Sequence, residues 1–422
     1  MGQFTENSIL AYRPLARAEW LLAQRIRTKL DGAGPGFFLA NPTSAPFSGW
    51  VTMPASCLRA PFRSLEDTQT GKRHKLDLEP GIQPWGRPRR PEDLTHEDLS
   101  ATFPDNVPDQ IARFWVENLE ANTIKTLRLS LEPCEDRPPD SPPPQVRTNS
   151  SGWPEAITWR GMSQPLFLPG HGDFLAVEVK GFAPRSLLAD IRSGGERRAE
   201  LRQRTLEEVP AQDAGRALVI ETPHTIRYTQ SLRHPRLQWG TRVLEVRKRQ
   251  PRARYTLRIN RLSSAAPEIF HVSFPLPTGS QLPRLTNGGM PFVPFADQLP
   301  GTCRDYFAID GAAAYDTPAG HWLWVSRDVP LIALGAAPTL AFRTAPPPDV
   351  NRLQAMLFNN FWYTNFVADS HGVMEFQFDL AWSPAPQPVA PAAATALVSE
   401  PAVMINPGLP EDPYLGRSLF QP

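Results

Sequence analysis

Tryptophan and asparagine fall together in this chain where a sugar could be held. HWLWVSRD sets Trp322 and Trp324 two residues apart, hence on one face of a strand. FNNFWYTNF crowds Trp362 against Asn359, Asn360 and Asn365, and SGWPEAITWRG carries Trp153 and Trp159. Aromatic faces stack on the C–H faces of sugar rings, and amides hydrogen-bond to hydroxyls. The same mixture builds the cores of large β-sandwiches, where tryptophan is buried and asparagine closes a loop. Composition alone leaves these two readings even.

Carboxylates are the second group. Glycoside hydrolysis needs two, one to protonate the leaving oxygen and one to attack or to activate water. Asp305 and Asp310 in CRDYFAID, and Asp297 in FADQLPG, lie among rings that could raise a carboxyl pKa. With 43 acids in the chain no pair selects itself, and capping turns or pairing with Arg304 is the plainer role. The eight histidines form no HExxH or HxH, and His224 and His234, ten residues apart, are the nearest candidates for a metal pair. No P-loop, no GxGxxG after a strand and no GxSxG elbow is present. Ten Lys and Arg against one acid between Arg233 and Arg261 suggest a nucleic-acid face. Around Tyr255, however, the arginines take alternate positions, as on the wet side of a strand, and nucleic acid is not the expected partner.

The elements that must position these residues are mostly strands. The 48 prolines argue against long helices, and the net charge of +1 names no partner. The three cysteines, Cys57, Cys134 and Cys303, are too scattered for a metal framework or a disulfide scaffold. The N-terminus lacks the apolar core of a signal peptide, no apolar run is long enough to span a bilayer, and a cytoplasmic location is expected.

Residues 7–30 read as a helix, with Leu15, Ala18, Leu22 and Ile26 at helical spacing. GFFLANPTSAPFSGWVTMP reads as two strands and TIKTLRLSL as another, whereas Glu66 to Pro108 reads as an irregular excursion. RARYTLRIN, the Phe270, Val272, Phe274 run and the Met374 to Leu380 run alternate with period two. Arg185 to Glu208, with charges of alternating sign, reads as a solvated helix or mobile loop.

Several phrases together resemble the C-terminal β-sandwich region of family-38 glycoside hydrolases, the retaining α-mannosidases and their bacterial relatives. They are PGTCRDYFAIDGAAAY, Trp324-Val325-Ser326-Arg327-Asp328-Val329-Pro330-Leu331, Asn359 to Phe366, and Gly372 to Leu380, in the family's order. The resemblance covers about residues 220 to 382 firmly and 1 to 180 more loosely. It implies that the catalytic chemistry sits in an N-terminal domain that binds zinc through His and Asp and supplies an Asp nucleophile. No such motif occurs near Met1, so no catalytic residue carries over. Zinc is expected only in a missing catalytic domain, with no cofactor in this chain.

The expected fold is therefore mainly β, with a large β-sandwich of the galactose mutarotase-like, α-mannosidase C-terminal type. The expected divisions are a helical remnant at 1–30, a small β domain at 31–132, a Pro-rich linker at 133–145, the sandwich at 146–382, and a Pro/Ala-rich tail at 383–422 with a possible last strand. The expected function is the non-catalytic, carbohydrate-associated half of an α-mannosidase-like glycoside hydrolase, either truncated or partnered by a separate catalytic half. A free-standing carbohydrate-binding module is the alternative, with a self-sufficient hydrolase and a nucleic-acid binder behind it. Trp322, Trp324, Asn359, Asn360, Trp362, Asn365 and Asp305 are the candidate sugar-binding residues. α-Mannoside-like glycans, a catalytic partner or a second copy of the chain are the expected partners, and no membrane.

Overall fold

The computed structural model of the protein describes residues 36–41, 43, 46–54, 62–80, 110–135, 142–180, 205–264, 266–326, 328–336, 343–360, 369, 371–386, 394 and 401–406. The helix expected at 7–30, and Trp362 and Asn365, lie outside the described residues. Among the described residues no helix is long and apolar enough to cross a membrane.

Two large antiparallel sheets form the main body. Nine strands make one, in the order Gln212–Glu221, Thr225–Arg233, Leu237–Arg247, Arg252–Arg261, Gly372–Ser383, Gly320–Ser326, Ala312–Thr317, Arg284–Asn287 and Met290–Phe292. Six make the other: Thr205–Pro210, Asp173–Lys180, Glu268–Pro275, Arg352–Asn359, Leu331–Leu334 and Phe307–Ala308. The period-two runs explain why the sheets stack. Tyr255, Leu257, Phe378 and Leu380 of the nine-stranded sheet share one core with Phe174, Phe270, Val272 and Phe274 of the six-stranded sheet. This is a β-sandwich whose inner faces interdigitate.

A smaller pair of sheets precedes it. Ala402–Asn406, Gly36–Asn41, Thr123–Ser130, Ser64–Asp67 and Arg73–Lys75 form one, and Phe47–Pro54, Gln110–Leu119 and Asp77–Pro80 the other. Phe37, Leu39, Leu65 and Leu127 meet Val51, Met53, Phe114 and Val116 in a separate core. The strand near the C-terminus therefore returns to pair with the first strand described.

Three expectations need correction. The stretch from Glu66 is not irregular at its start, because Ser64–Asp67, Arg73–Lys75 and Asp77–Pro80 are strands. Their charges are held across the sheet, with Glu66 accepting from Arg73 at 3.1 Å and from Arg128 at 2.8 Å. Residues 205–208 are not helical. They belong to the strand Thr205–Pro210, which among the described residues pairs on one side only and exposes Glu207 and Glu208. The basic face of Arg252–Arg261 is not a wet one. Its register sets Arg254 opposite Asp379 and Arg258 opposite Glu375, and both pairs close as ion pairs. Two alternating patterns on separate segments thus neutralise each other.

The smaller unit is joined to the sandwich through charge. Arg113, only 2 % exposed, donates from Nη2 to both Glu245 oxygens at 3.1 Å. Arg227 reaches the same carboxylate at 3.2 Å and Arg247 at 3.5 Å. Burial alone would raise the Glu245 pKa, but Arg113, Arg247, Arg227 and Arg254 outweigh it and hold the carboxyl well below the usual range. Beside this cluster the Trp50 ring lies on His224 with centroids 3.5 Å apart, and His224 Nε2 sits 2.5 Å from Asp77 Oδ2.

At the centre of the sandwich core, Gly172 has φ +74° and its carbonyl accepts the Tyr255 hydroxyl at 2.7 Å. A Cβ there would lie 2.2 Å from the Tyr255 ring. Gly172→Ala should therefore cost about 3 kcal/mol or more, measured by denaturant unfolding. A cost under about 1 kcal/mol would show that the ring can yield.

The acid response follows from two buried imidazoles, His171 and His271, whose pKa values burial, and then Arg242 and Arg352 respectively, lower from 6.5 to about 3. Below pH 6.5 the unfolded chain binds protons that the folded one refuses, so stability falls as pH drops toward about 3. Glu245 adds its own loss below the ordinary glutamate value of 4.5, because its folded pKa is depressed. Unfolding measured across pH should show each histidine contributing up to about 1.4 kcal/mol per pH unit, and His171→Phe should remove one such slope.

Candidate functional site

The candidate site is built at one end of the sandwich, from the last inward-facing positions of strands in opposite sheets. Phe174, Ala176 and Glu178 share a face of Asp173–Lys180, and Glu268 shares the core face of Phe270 and Val272. Register places Glu178 directly opposite Glu268. Like charges in that position repel unless a cation is shared. Arg236, in the turn at 234–236, supplies one, with Nη2 3.2 Å from Glu178 Oε1 and Nε 2.6 Å from Glu268 Oε1. Arg261 is the last core-facing residue of its strand and approaches Glu268 Oε2 at 3.7 Å. It also donates to Asp369 Oδ1 at 3.2 Å. Its guanidinium lies over the paired Phe270 and Phe358 rings, 5.0 and 4.9 Å from their centroids.

The root of FNNFWYTNF is tied into this cluster. Asn360 donates its backbone N–H to the Glu268 carbonyl at 3.1 Å and accepts the Glu268 N–H on Oδ1 at 2.8 Å. Its Nδ2 donates to the Ser264 carbonyl at 3.0 Å. Ser264 in turn donates its N–H to Asp369 at 3.1 Å and its hydroxyl to Glu268 at 3.2 Å. Burial raises the Glu268 pKa, against the pull of Arg236, Ser264 and Arg261. The Ser263 hydroxyl leads the groups that lower the Asp369 pKa. Two carboxyls pushed in opposite directions are what acid–base chemistry asks for. Here, however, both Glu268 and Arg261 have fully buried side chains, and each carboxyl is engaged by arginine. The cluster holds two sheets and a loop root together, and its carboxyls are answered by arginines rather than left for a substrate.

The residues expected to bind sugar go to several places. Trp322 and Trp324 are 1 % and 0 % exposed and belong to the sandwich core, which corrects their reading as sugar platforms. Trp322 donates Nε1 to the Leu166 carbonyl at 3.1 Å, and Trp324 packs on Phe274 and Phe378. Both rings spend their faces on other side chains. Asn360 is 4 % exposed and closes a corner, while Asn359 is half-buried with Nδ2 3.8 Å from the Met356 sulfur. Asp305 is buried and accepts the Arg343 N–H at 2.8 Å. Asp297 and Asp310 cap turns, accepting from Val293 at 2.6 Å and from Gly289 at 2.7 Å. His224 and His234 flank Thr225–Arg233, which sets them roughly 30 Å apart, too far for one metal ion. Among the described residues no three His, Cys, Asp or Glu side chains gather as a metal site.

Glu178, Glu268 and Arg236 were not picked out from the sequence. The available signal was parity, since Glu178 continues the inward positions of Phe174 and Ala176, and Glu268 those of Phe270 and Phe274. The turn that carries Arg236 also lines a cleft of about 380 Å³ with Val209, Leu232, His234 and Leu237. His234 is satisfied there, with Nε2 3.1 Å from the Val209 carbonyl and Nδ1 accepting the Arg236 N–H at 3.0 Å, so the cleft brings no reactive group.

No protein-family model matches the chain, and no curated protein does. Among solved structures it is similar to a protein in glycosyl hydrolase family 38 from Enterococcus faecalis, with a TM-score of 0.52 and 11 % identity. It is also similar to an α-mannosidase from Enterococcus faecalis V583, with a TM-score of 0.53 and 11 % identity. Each match covers 88 % of this chain but only 47 % and 46 % of those chains, so this chain spans about half their length. The shared property is the fold, a family-38-like β architecture.

Breaking the cluster tests its structural role. Arg261→Met should cost about 3 kcal/mol in unfolding free energy, because it leaves the buried Glu268 to Arg236 alone and takes its arginine from Asp369. Adding Glu268→Leu should restore much of that loss. Additive losses in the double variant would show that the two side chains act independently.

Proposed function

We propose that this chain is the non-catalytic, carbohydrate-associated β-sandwich portion of an α-mannosidase-like glycoside hydrolase, acting with a separate catalytic half. The observation that carries this reading is the pairing of 88 % of the chain with less than half of two family-38 chains. The arginine-bound carboxyls at the end of the sandwich support it. Glu178, Glu268 and Asp369 are committed to ion pairs, so none is poised to protonate a leaving oxygen or to attack a sugar. In this reading any zinc belongs to the catalytic half, and no step of the reaction is assigned to residues of this chain. The corner held by Asn360 then shapes a wall beside that half. The reading as a free-standing module loses its two principal platforms, because Trp322 and Trp324 are core residues.

The chain purified alone should not hydrolyse aryl α-mannosides, with or without added Zn²⁺. Addition of a catalytic half should bring activity that the catalytic half lacks alone. Zinc-dependent turnover by this chain alone would overturn the reading.

A further inference from the structure

The six-stranded sheet carries a second polar group, on the face turned away from the nine-stranded sheet. Phe270, Val272 and Phe274 point into the core, so His271 and Ser273 point outward. On the next strand Leu353 and Ala355 point inward, so Arg352, Gln354 and Met356 point outward. Register sets Ser273 opposite Gln354 and His271 opposite Met356, which makes His271 and Gln354 diagonal neighbours on one face.

These side chains are buried and short of partners. His271 and Gln354 are both 0 % exposed. The Gln354 amide finds no hydrogen-bond partner for Oε1 or Nε2, and His271 finds none for Nδ1. Each such group forfeits roughly 1–3 kcal/mol unless water or a ligand answers it. Ser273 is engaged, accepting from Arg352 Nε at 3.0 Å. Tyr306 is half-buried and lies beside His271, with ring centroids 6.1 Å apart, planes parallel within 6° and its hydroxyl 3.3 Å from His271 Nε2.

The unmet atoms define what would satisfy them. Gln354 Oε1 needs a donor and Nε2 needs an acceptor. An anion offers no donor and a cation no acceptor, and the Arg352 guanidinium beside the strip disfavours a cation further. A hydroxyl both donates and accepts. Two neighbouring hydroxyls match the two ends of one amide, with His271 Nδ1 beside them.

We propose that this strip binds a hydroxyl-bearing ligand, a sugar or related polyol, with vicinal hydroxyls on the Gln354 amide and His271 Nδ1. The site is distinct from the arginine-bound cluster and stands whether or not the chain has a catalytic partner.

Saturation-transfer NMR on the full chain tests it, with methyl α-mannoside, methyl α-glucoside and glycerol at low millimolar concentration, where osmolyte stabilisation is negligible. At least one probe should show saturable transfer and shift the His271 ring resonances. Gln354→Met and Gln354→Leu should reduce transfer at least tenfold without lowering the melting temperature, because they remove an unsatisfied amide. Whichever of the two folds decides the outcome. Met290→Ala, at an exposed position, should bind as the parent does. No transfer to any probe, or equal transfer in the Gln354 variants, would overturn the proposal and leave ordered water as the partner of the strip. Absence of binding would leave the turnover result untouched, so the two readings fail separately.

Discussion

Glu245 is the charge on which the assembly of the two units depends. It lies on Leu237–Arg247, an interior strand of the nine-stranded sheet, and three guanidinium groups reach it. Arg227 and Arg247 come from the sandwich, but Arg113 comes from Gln110–Leu119 in the smaller unit. A carboxylate buried without cations would be driven neutral, and buried guanidinium groups without a carboxylate would repel one another. Each unit therefore carries a charge that is costly without the other. Net stabilisation from such a cluster is modest, because desolvation cancels much of the attraction. Its contribution is orientation: the bidentate contact from Arg113 Nη2 fixes how the small sheets meet the large one. Trp50 on His224, and His224 against Asp77, repeat that logic, with Asp77 set opposite Arg113 by register.

The same solution recurs at several points among the described residues of this sandwich. Arg242 is 4 % exposed, yet it reaches Asp173 at 3.1 Å and Asp213 at 2.6 Å while lying 4.1 Å over Trp153. Arg254 and Arg258 meet Asp379 and Glu375 across two strands, and Arg236 and Arg261 neutralise Glu178, Glu268 and Asp369 at the end of the core. Arginine suits this role because its planar fork serves two acceptors and its faces stack on rings. Much of the charge of the basic stretch from Arg233 to Arg261 is thus spent on carboxylates within the sandwich.

Much of the fold was legible because burial imposes parity. Tyr255, Leu257 and Ile259 alternate with arginines, and a strand with one buried face has no other arrangement. What parity could not reveal was the partner of the polar side. Arg254 looked solvated because Asp379 lies 125 residues away, and only register brings them together. The strand Thr205–Pro210 was illegible for the opposite reason. Pairing on one side through its backbone asks nothing of its side chains, so TLEEVP carries no period to read.

The candidate residues divide along the same line. A tryptophan pair on one face signals a strand, but sequence does not say whether a second sheet covers that face, and here one does. Asn360 was readable as a corner residue because its amide can satisfy backbone groups on both sides of a turn, as it does with Glu268 and Ser264. Glu268 and Gln354 were harder to find, since each sits singly in a run of apolar residues where nothing local marks it. Their environments differ in one physical respect: arginines neutralise Glu268, whereas Gln354 has neither end of its amide engaged. A polar group that the protein itself has answered contributes to holding the fold. One that it has not answered, buried at 0 % exposure beside His271, is the better place to look for a ligand.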